Sequence, residues 1–226
     1  MDFENLFRAH YFANQSTLVM NQQHDVQKTL DEIREMMSKS SKFISLSGIS
    51  GILIGLITII SVFIFSFQHH INPMDGEGNV LSNLNDLELK QLYFSAIGLL
   101  LVSLTTTFLM SKNKAKKEGK DIWGPASKQL ISSMALPFSF GFVFCSILFF
   151  SQPDSVLPLS LLIYGFSLFS GSRNTINSVK TFGLIQMSLS ILCLVFSGYM
   201  LLIWTLGFGL SHAIYGAFMH INQSKN

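Results

Sequence analysis

Charge is scarce in this chain and is missing where it would cost most. Asp, Glu, Lys and Arg make up 12% of its 226 residues, and none falls inside the long apolar runs. Ionisable groups at membrane depth mark ion coupling, proton relays and voltage sensing. Their absence disfavours a proton- or sodium-coupled transporter. It also removes the paired aspartates that an intramembrane aspartyl protease needs. Cysteine is equally sparse. Cys145 and Cys193 both lie in apolar runs, so they make neither a disulfide framework nor a CxxC redox pair. They read as small buried hydrophobes. There is no HExxH to set zinc ligands on one helix face, no GxSxG and no phosphate-binding glycine loop. No catalytic, cofactor or metal site is expected, and the sequence leans away from an enzyme.

What the chain has in quantity is hydrophobic length. It is 49% hydrophobic and contains 21 Phe. Apolar runs at Ile44–Phe67, Leu92–Ser111, Leu130–Ser151 and Ser155–Ser170 approach or exceed the ~20 residues that cross a bilayer as helix. A fifth stretch, Thr181–Met219, is too long for one span and fits two. A turn near Ser197, Gly198 and Tyr199 divides it, with Trp204 and Thr205 as the alternative. The expected fold is therefore all-α: a polytopic membrane protein of six transmembrane helices. Three parts follow: a cytosolic segment 1–42, a bundle 43–220 and a short cytosolic tail 221–226. The first 42 residues are polar and acidic, so the first helix is expected to act as an uncleaved anchor.

Basic residues orient this arrangement. Arg8, Lys28, Arg34, Lys39 and Lys42 precede the first span. Lys112, Lys114, Lys116, Lys117, Lys120 and Lys128 lie between the second and third. Arg173 and Lys180 lie between the fourth and fifth, and Lys225 is at the end. With six spans, all of these share one side, and Lys90 falls on the other. The positive-inside rule then places both termini in the cytoplasm.

Small residues recur at helix-packing spacing. Ser47, Gly51 and Gly55 repeat every four residues in the first span, and Gly209, Ala213 and Ala217 do so in the last. Such faces let backbones approach closely in lipid. They predict internal packing of the bundle, with a homo-oligomer interface as the other reading. Pro137 predicts a kink in the third span. Phe138, Phe140, Phe142 and Phe144 spread around a wide arc of the same helix and suit lipid or packing more than a ligand cage. Intramembrane polar residues are few: His212, Tyr215 and Gln186 stand out. The expectation for His212 is a structural hydrogen bond to a hydroxyl or carbonyl on helix one or helix five, extended by Ser211 and Tyr215. A weak repeat is also present. Lys128 and Lys180 open successive odd-numbered spans, and Ile163-Tyr164-Gly165 matches Ile214-Tyr215-Gly216. This suggests three tandem helical hairpins.

Outside the spans, Val26, Leu30, Ile33 and Met37 form the apolar stripe of a cytosolic amphipathic helix. Residues 1–20 suit a second, interfacial helix. Lys114, Lys116, Lys117 and Lys120 make a cluster suited to anionic lipid headgroups, or serve only as topology signals. Residues His69 to Gln91 carry His69, His70, Asp75, Glu77, Asp86 and Glu88 at spacings that match no metal cage. They read as a solvated acidic loop. Nucleic-acid binding is not expected.

The stretches "SSKFISLSGISGILIGLI", "IWGPASKQL" and "LLIWTLGFGLSHAIYG", with "LDEIREMMSKSSKF" before them, resemble an uncharacterised family of small six-helix inner-membrane proteins from Bacteroidota. The resemblance covers Leu30 to the C-terminus. It implies the six-helix architecture and a bacterial inner-membrane location, and it supplies no site residues. Three function classes follow from the whole reading. The first is a non-enzymatic scaffold, sensor or partner subunit, working with the lipid bilayer and with a membrane protein partner or a second copy. The second is a channel or carrier for neutral or apolar solutes, whose path would be lined by Ser103, Thr105, Thr106, Ser132, Ser133, Ser139, Gln186 and Ser188. The third is an intramembrane enzyme, which would need His212 clustered with polar groups beside a cavity.

Overall fold

A helix of 20 residues rises about 30 Å, the thickness of a bilayer's hydrocarbon core. The computed structural model of the chain describes residues 26–32, 48–74, 76, 80–117, 125–174 and 177–223. Six of its helices have the length and composition to cross a membrane. They are α1 (Gly48–Gln68), α2 (Asp86–Lys117), α3 (Pro125–Phe149), α4 (Val156–Gly171), α5 (Asn177–Val195) and α6. The last is α-helical over Met200–Thr205, makes a π turn over Leu206–Leu210 and resumes over Ser211–Gln223. No strand occurs among the described residues. The protein is an all-α, polytopic integral membrane protein by helix length and composition.

The chain divides into two compact units, Met1–Ser41 and Lys42–Asn226. In the first, residues 26–32 are helical, with Val26 and Leu30 exposed. Ile33, Met37 and residues 1–20 lie outside the described residues. The second unit holds all six spans.

Helix boundaries follow local chemistry more than hydropathy. The second apolar run ends at Ser111, yet α2 extends from Asp86 to Lys117. Its start is fixed by a reciprocal cap: the Asn85 N–H donates to Glu88 Oε2, and the Glu88 N–H donates to Asn85 Oδ1, both at 2.9 Å. Such caps satisfy donors the first turn leaves open. Lysine and alanine, good helix formers, carry it past the apolar region. Likewise α3 starts at Pro125, where a missing N–H costs nothing. It continues as helix through Pro137. The division between α5 and α6 falls at Ser197–Tyr199, a single 3-10 turn. Trp204 and Thr205 are helical and lead into the π turn instead.

The spans pack in antiparallel pairs. α4 lies against α5 on one side and α3 on the other; α1 lies against α6, and α2 meets α1 over a shorter stretch. Glycines set the two closest crossings. A Cβ on Gly165 would sit 2.7 Å from the Gly183 carbonyl, and one on Gly183 2.8 Å from the Gly165 carbonyl. A Cβ on Gly216 would sit 2.5 Å from the Gly48 carbonyl. The two matching Ile-Tyr-Gly triplets therefore do equivalent work. Each puts its glycine into backbone contact with a neighbouring span, Gly165 on α5 and Gly216 on α1.

Residues 69–74 and 80–85 lie at one end of the bundle, here called the loop end. The acidic composition of this segment suggests a solvated loop, but its middle is core. Val80 and Leu81 are buried with Leu157 and Leu201, and Ile71 and Leu84 pack around them. Asp154, in the 3-10 turn before α4, fixes the position. It accepts from the Leu81 N–H at 2.7 Å, the Ser82 N–H at 3.1 Å and the Ser82 hydroxyl. Two apolar residues outweigh the loop's charge because their side chains have a bundle end to bury against.

Candidate functional site

The main polar feature inside the spans begins with a backbone irregularity. At the π turn of α6 the Ser211 N–H bonds to the Leu206 carbonyl. In an α-helix it would reach Gly207. The Gly207 carbonyl is thereby released, and an unpaired carbonyl in lipid is costly. Side chains take it up. Gln186 Nε2 donates to it at 2.9 Å, His212 Nδ1 contacts it at 3.2 Å and the Ser211 hydroxyl donates to it. Gln186 Nε2 also reaches Ser211 Oγ at 3.0 Å.

The carbonyl fixes the imidazole. A carbonyl only accepts, so Nδ1 carries the proton and Nε2 is left as an acceptor. The Tyr164 hydroxyl, 2.9 Å from Nε2, then donates to it. The chain runs from Tyr164 on α4, through His212, to Gly207 on α6. The partner is a hydroxyl on helix four, where helix one or five was expected. The reason is the packing: Tyr164 lies between α5 and α6, and its ring stacks on His212 at 5.3 Å. Phe182 stands edge-on to His212 at 4.9 Å and lies parallel to Tyr215 at 4.5 Å. His212 is 7% exposed and Gln186 fully buried. Tyr215 places its hydroxyl beside Ser178, outside the His212 chain. Gln186 Oε1 has no hydrogen-bond partner. It lies against Gly207, where a Cβ would sit 3.0 Å away.

Chemically the imidazole at the centre of this cluster is satisfied on both nitrogens. The imidazole's acceptor is occupied by a phenol and its donor by a carbonyl, within an aromatic enclosure. Nothing in that arrangement presents a nucleophile, and Ser211 spends its proton on Gly207. Sequence reasoning found His212, Tyr215, Ser211 and Gln186. It missed Tyr164 as a partner and Gly207 as the hub. The signal available was "LGFGL", a glycine pair that weakens an α-helix just before a serine and a histidine.

The small-residue faces meet one another. A Cβ on Gly51 would lie 3.0 Å from Gly216 Cα. One on Gly55 would lie 2.5 Å from the Gly209 carbonyl and 2.9 Å from Ala213 Cβ. Ala217 is half-buried on the same helix, and Ser47 lies outside the described residues. The hydroxyls proposed to line a path do not converge. Thr105, Ser132 and Ser188 are exposed, and each returns its hydroxyl to a carbonyl of its own helix. Ser133 does the same toward Gln129, and Gln186 is held in the α6 cluster. Phe140, Phe142 and Phe144 are exposed on α3. Lys114, Lys116 and Lys117 occupy the last turn of α2, while Lys120 lies outside the described residues. Among the described residues, no three His, Cys, Asp or Glu side chains group to hold a metal.

Compared with known proteins, the chain matches no family, no curated protein and no solved structure.

Proposed function

We propose that the protein is a non-enzymatic partner subunit of a bacterial inner-membrane assembly, and that α2 docks against a transmembrane helix of the partner. One observation carries this reading. In the most apolar window of α2, 0% of residues are buried, against 44% for the span containing α4. Lipid supplies no hydrophobic drive for helix association, so spans are held by close packing of small residues. α1, α4, α5 and α6 use their glycines on one another. α2 carries Ser95, Gly98, Val102, Thr105 and Leu109, all exposed, at alternating spacings of three and four. That spacing is the seam of a helix pair. Beside Gly98 there is open space: nothing lies within 4 Å of where its Cβ would be.

The distribution of basic residues supports cytoplasmic termini. The lysines in the last turn of α2 then lie at the cytoplasmic surface and attract anionic lipid. The resemblance to Bacteroidota proteins supports the inner-membrane location.

A photo-crosslinking residue at position 98, activated in native membranes, tests the docking. The expected result is one discrete heteromeric adduct, with little from the same probe at Ala96 or Leu104, exposed positions on the other side of the helix. Lipid adducts only would sink the reading, and a homodimer adduct would replace the partner with a second copy.

A further inference from the structure

The loop end carries a cavity of about 370 Å³, in the range of small-molecule sites. It lies between the C-terminus of α1 and the N-terminus of α2, far along the chain from the His212 cluster. Val80 and Leu84 supply the smaller, apolar part of its lining. Its walls are polar, with His69, His70, Asn83 and Glu88. We propose that this cavity binds a small organic cation: a primary ammonium attached to a short apolar body.

Three observations select that chemistry. The first is charge. Among the described residues that line it, Glu88 is the one carboxylate and none is a lysine or arginine. Glu88 divides its oxygens. Oε2 accepts the Asn85 N–H at 2.9 Å, while Oε1 lies 3.3 Å from His69 Nδ1. The negative end of the α1 dipole lies beside the cavity. Asp86 in the first turn of α2 offsets the positive end of that helix. The second is donor geometry. An ammonium offers three N–H donors, and the wall offers a carboxylate and amide oxygens. A bare metal ion needs three or more converging ligands, which the described residues do not form.

The third observation is that the walls are built. His70, at φ +53°, is the left-handed cap that ends α1, where the Ile71 N–H donates to the Ser66 carbonyl at 2.9 Å. The opposite wall is pinned by the hydrogen bonds of Leu81 and Ser82 to Asp154. So the cavity is flanked by fixed segments at both ends, and a ligand there meets preorganised groups. This inference is independent of the partner-subunit reading, because it uses no residue of the α2 docking seam.

The test is calorimetric titration of the full-length protein in lipid nanodiscs with 2-phenylethylammonium, corrected against empty nanodiscs. The neutral alcohol and the carboxylate of similar shape serve as comparison probes. Saturable one-to-one binding is expected for the ammonium, at least tenfold tighter than for the alcohol, with none for the carboxylate. Glu88→Gln keeps the cap on Asn85, since glutamine accepts there as well. It should weaken the ammonium at least tenfold. Asn83→Phe, at an exposed position, should fill the cavity and abolish binding without disturbing the cap. Absence of binding to the wild type, equal binding of the alcohol, or full binding to both variants would overturn the proposal. Zinc bound stoichiometrically and lost in His69→Ala would replace it with a metal site.

Discussion

A single histidine shows how a polar side chain is accommodated in lipid. His212 has a donor and an acceptor, and both are used, by Gly207 and Tyr164. Interhelical hydrogen bonds of this kind average about 0.6 kcal/mol and reach about 1.7 kcal/mol. His212→Leu loses that bond and also leaves the Tyr164 hydroxyl without its acceptor, while the Gly207 carbonyl keeps Gln186 and Ser211. The loss should exceed the bond itself, at about 1–3 kcal/mol. His212→Asn keeps one donor and one acceptor and should cost less. Tyr164→Phe removes one donor only and should cost least. Thermal unfolding in one detergent should rank the three in that order. Equal loss for all three would mean that packing volume governs the site.

At the scale of elements, the glycine crossings decide which spans touch. α1 presents Gly48, Gly51 and Gly55 to α6, and α6 answers with Gly209, Ala213 and Gly216. Gly55→Leu would drive a side chain into the Gly209 carbonyl and Ala213. Overpacking of that kind costs about 1–3 kcal/mol and occasionally more. Ile60→Leu, at a position 56% exposed, should change stability by less than about 0.5 kcal/mol. Similar melting temperatures for both variants would contradict the crossing. The existence of these elements was legible, since length and hydropathy suffice to find a span, and the Ser197-Gly198-Tyr199 break was visible as a turn. Their pairing was only partly legible. A lipid-embedded helix has no polar face to exclude, so periodicity does not say which side meets α4 or α5. The ends of α2 were missed because its caps and lysines form helix without being apolar.

For the whole molecule, topology and the loop end belong together. With both termini cytoplasmic, as proposed from the basic residues, cysteines introduced at positions 77 and 118 fall on opposite sides of the membrane. Labelling intact cells with a membrane-impermeant maleimide should modify Glu77→Cys and spare Glu118→Cys. Modification of the second alone would invert the orientation. Most of the loop end was hidden in the sequence. Asp154 is one acid in a six-residue connection, and its importance comes from two N–H groups more than 70 positions earlier. Only the "QPDS" turn around it hinted that an acid there had a task. Val80 and Leu81 looked too few to outweigh the charges around them. Hydrogen bonds between such distant segments leave no periodic trace, and the cavity they frame is equally untraceable.

The π turn has a consequence for ancestry. Five residues where four would close the turn amount to one residue inserted into α6, and each residue of α-helix turns the chain by about 100°. The half with Ile203 and Trp204 thus keeps its phase toward α4 and α5, while the half with Gly209, Ala213 and Gly216 is re-phased toward α1. A homologue without the turn would align with a one-residue gap between Trp204 and His212. Deleting Phe208 would remove the extra residue in the laboratory, leaving the two halves of the sixth helix turned by about 100° relative to each other and to their present neighbours.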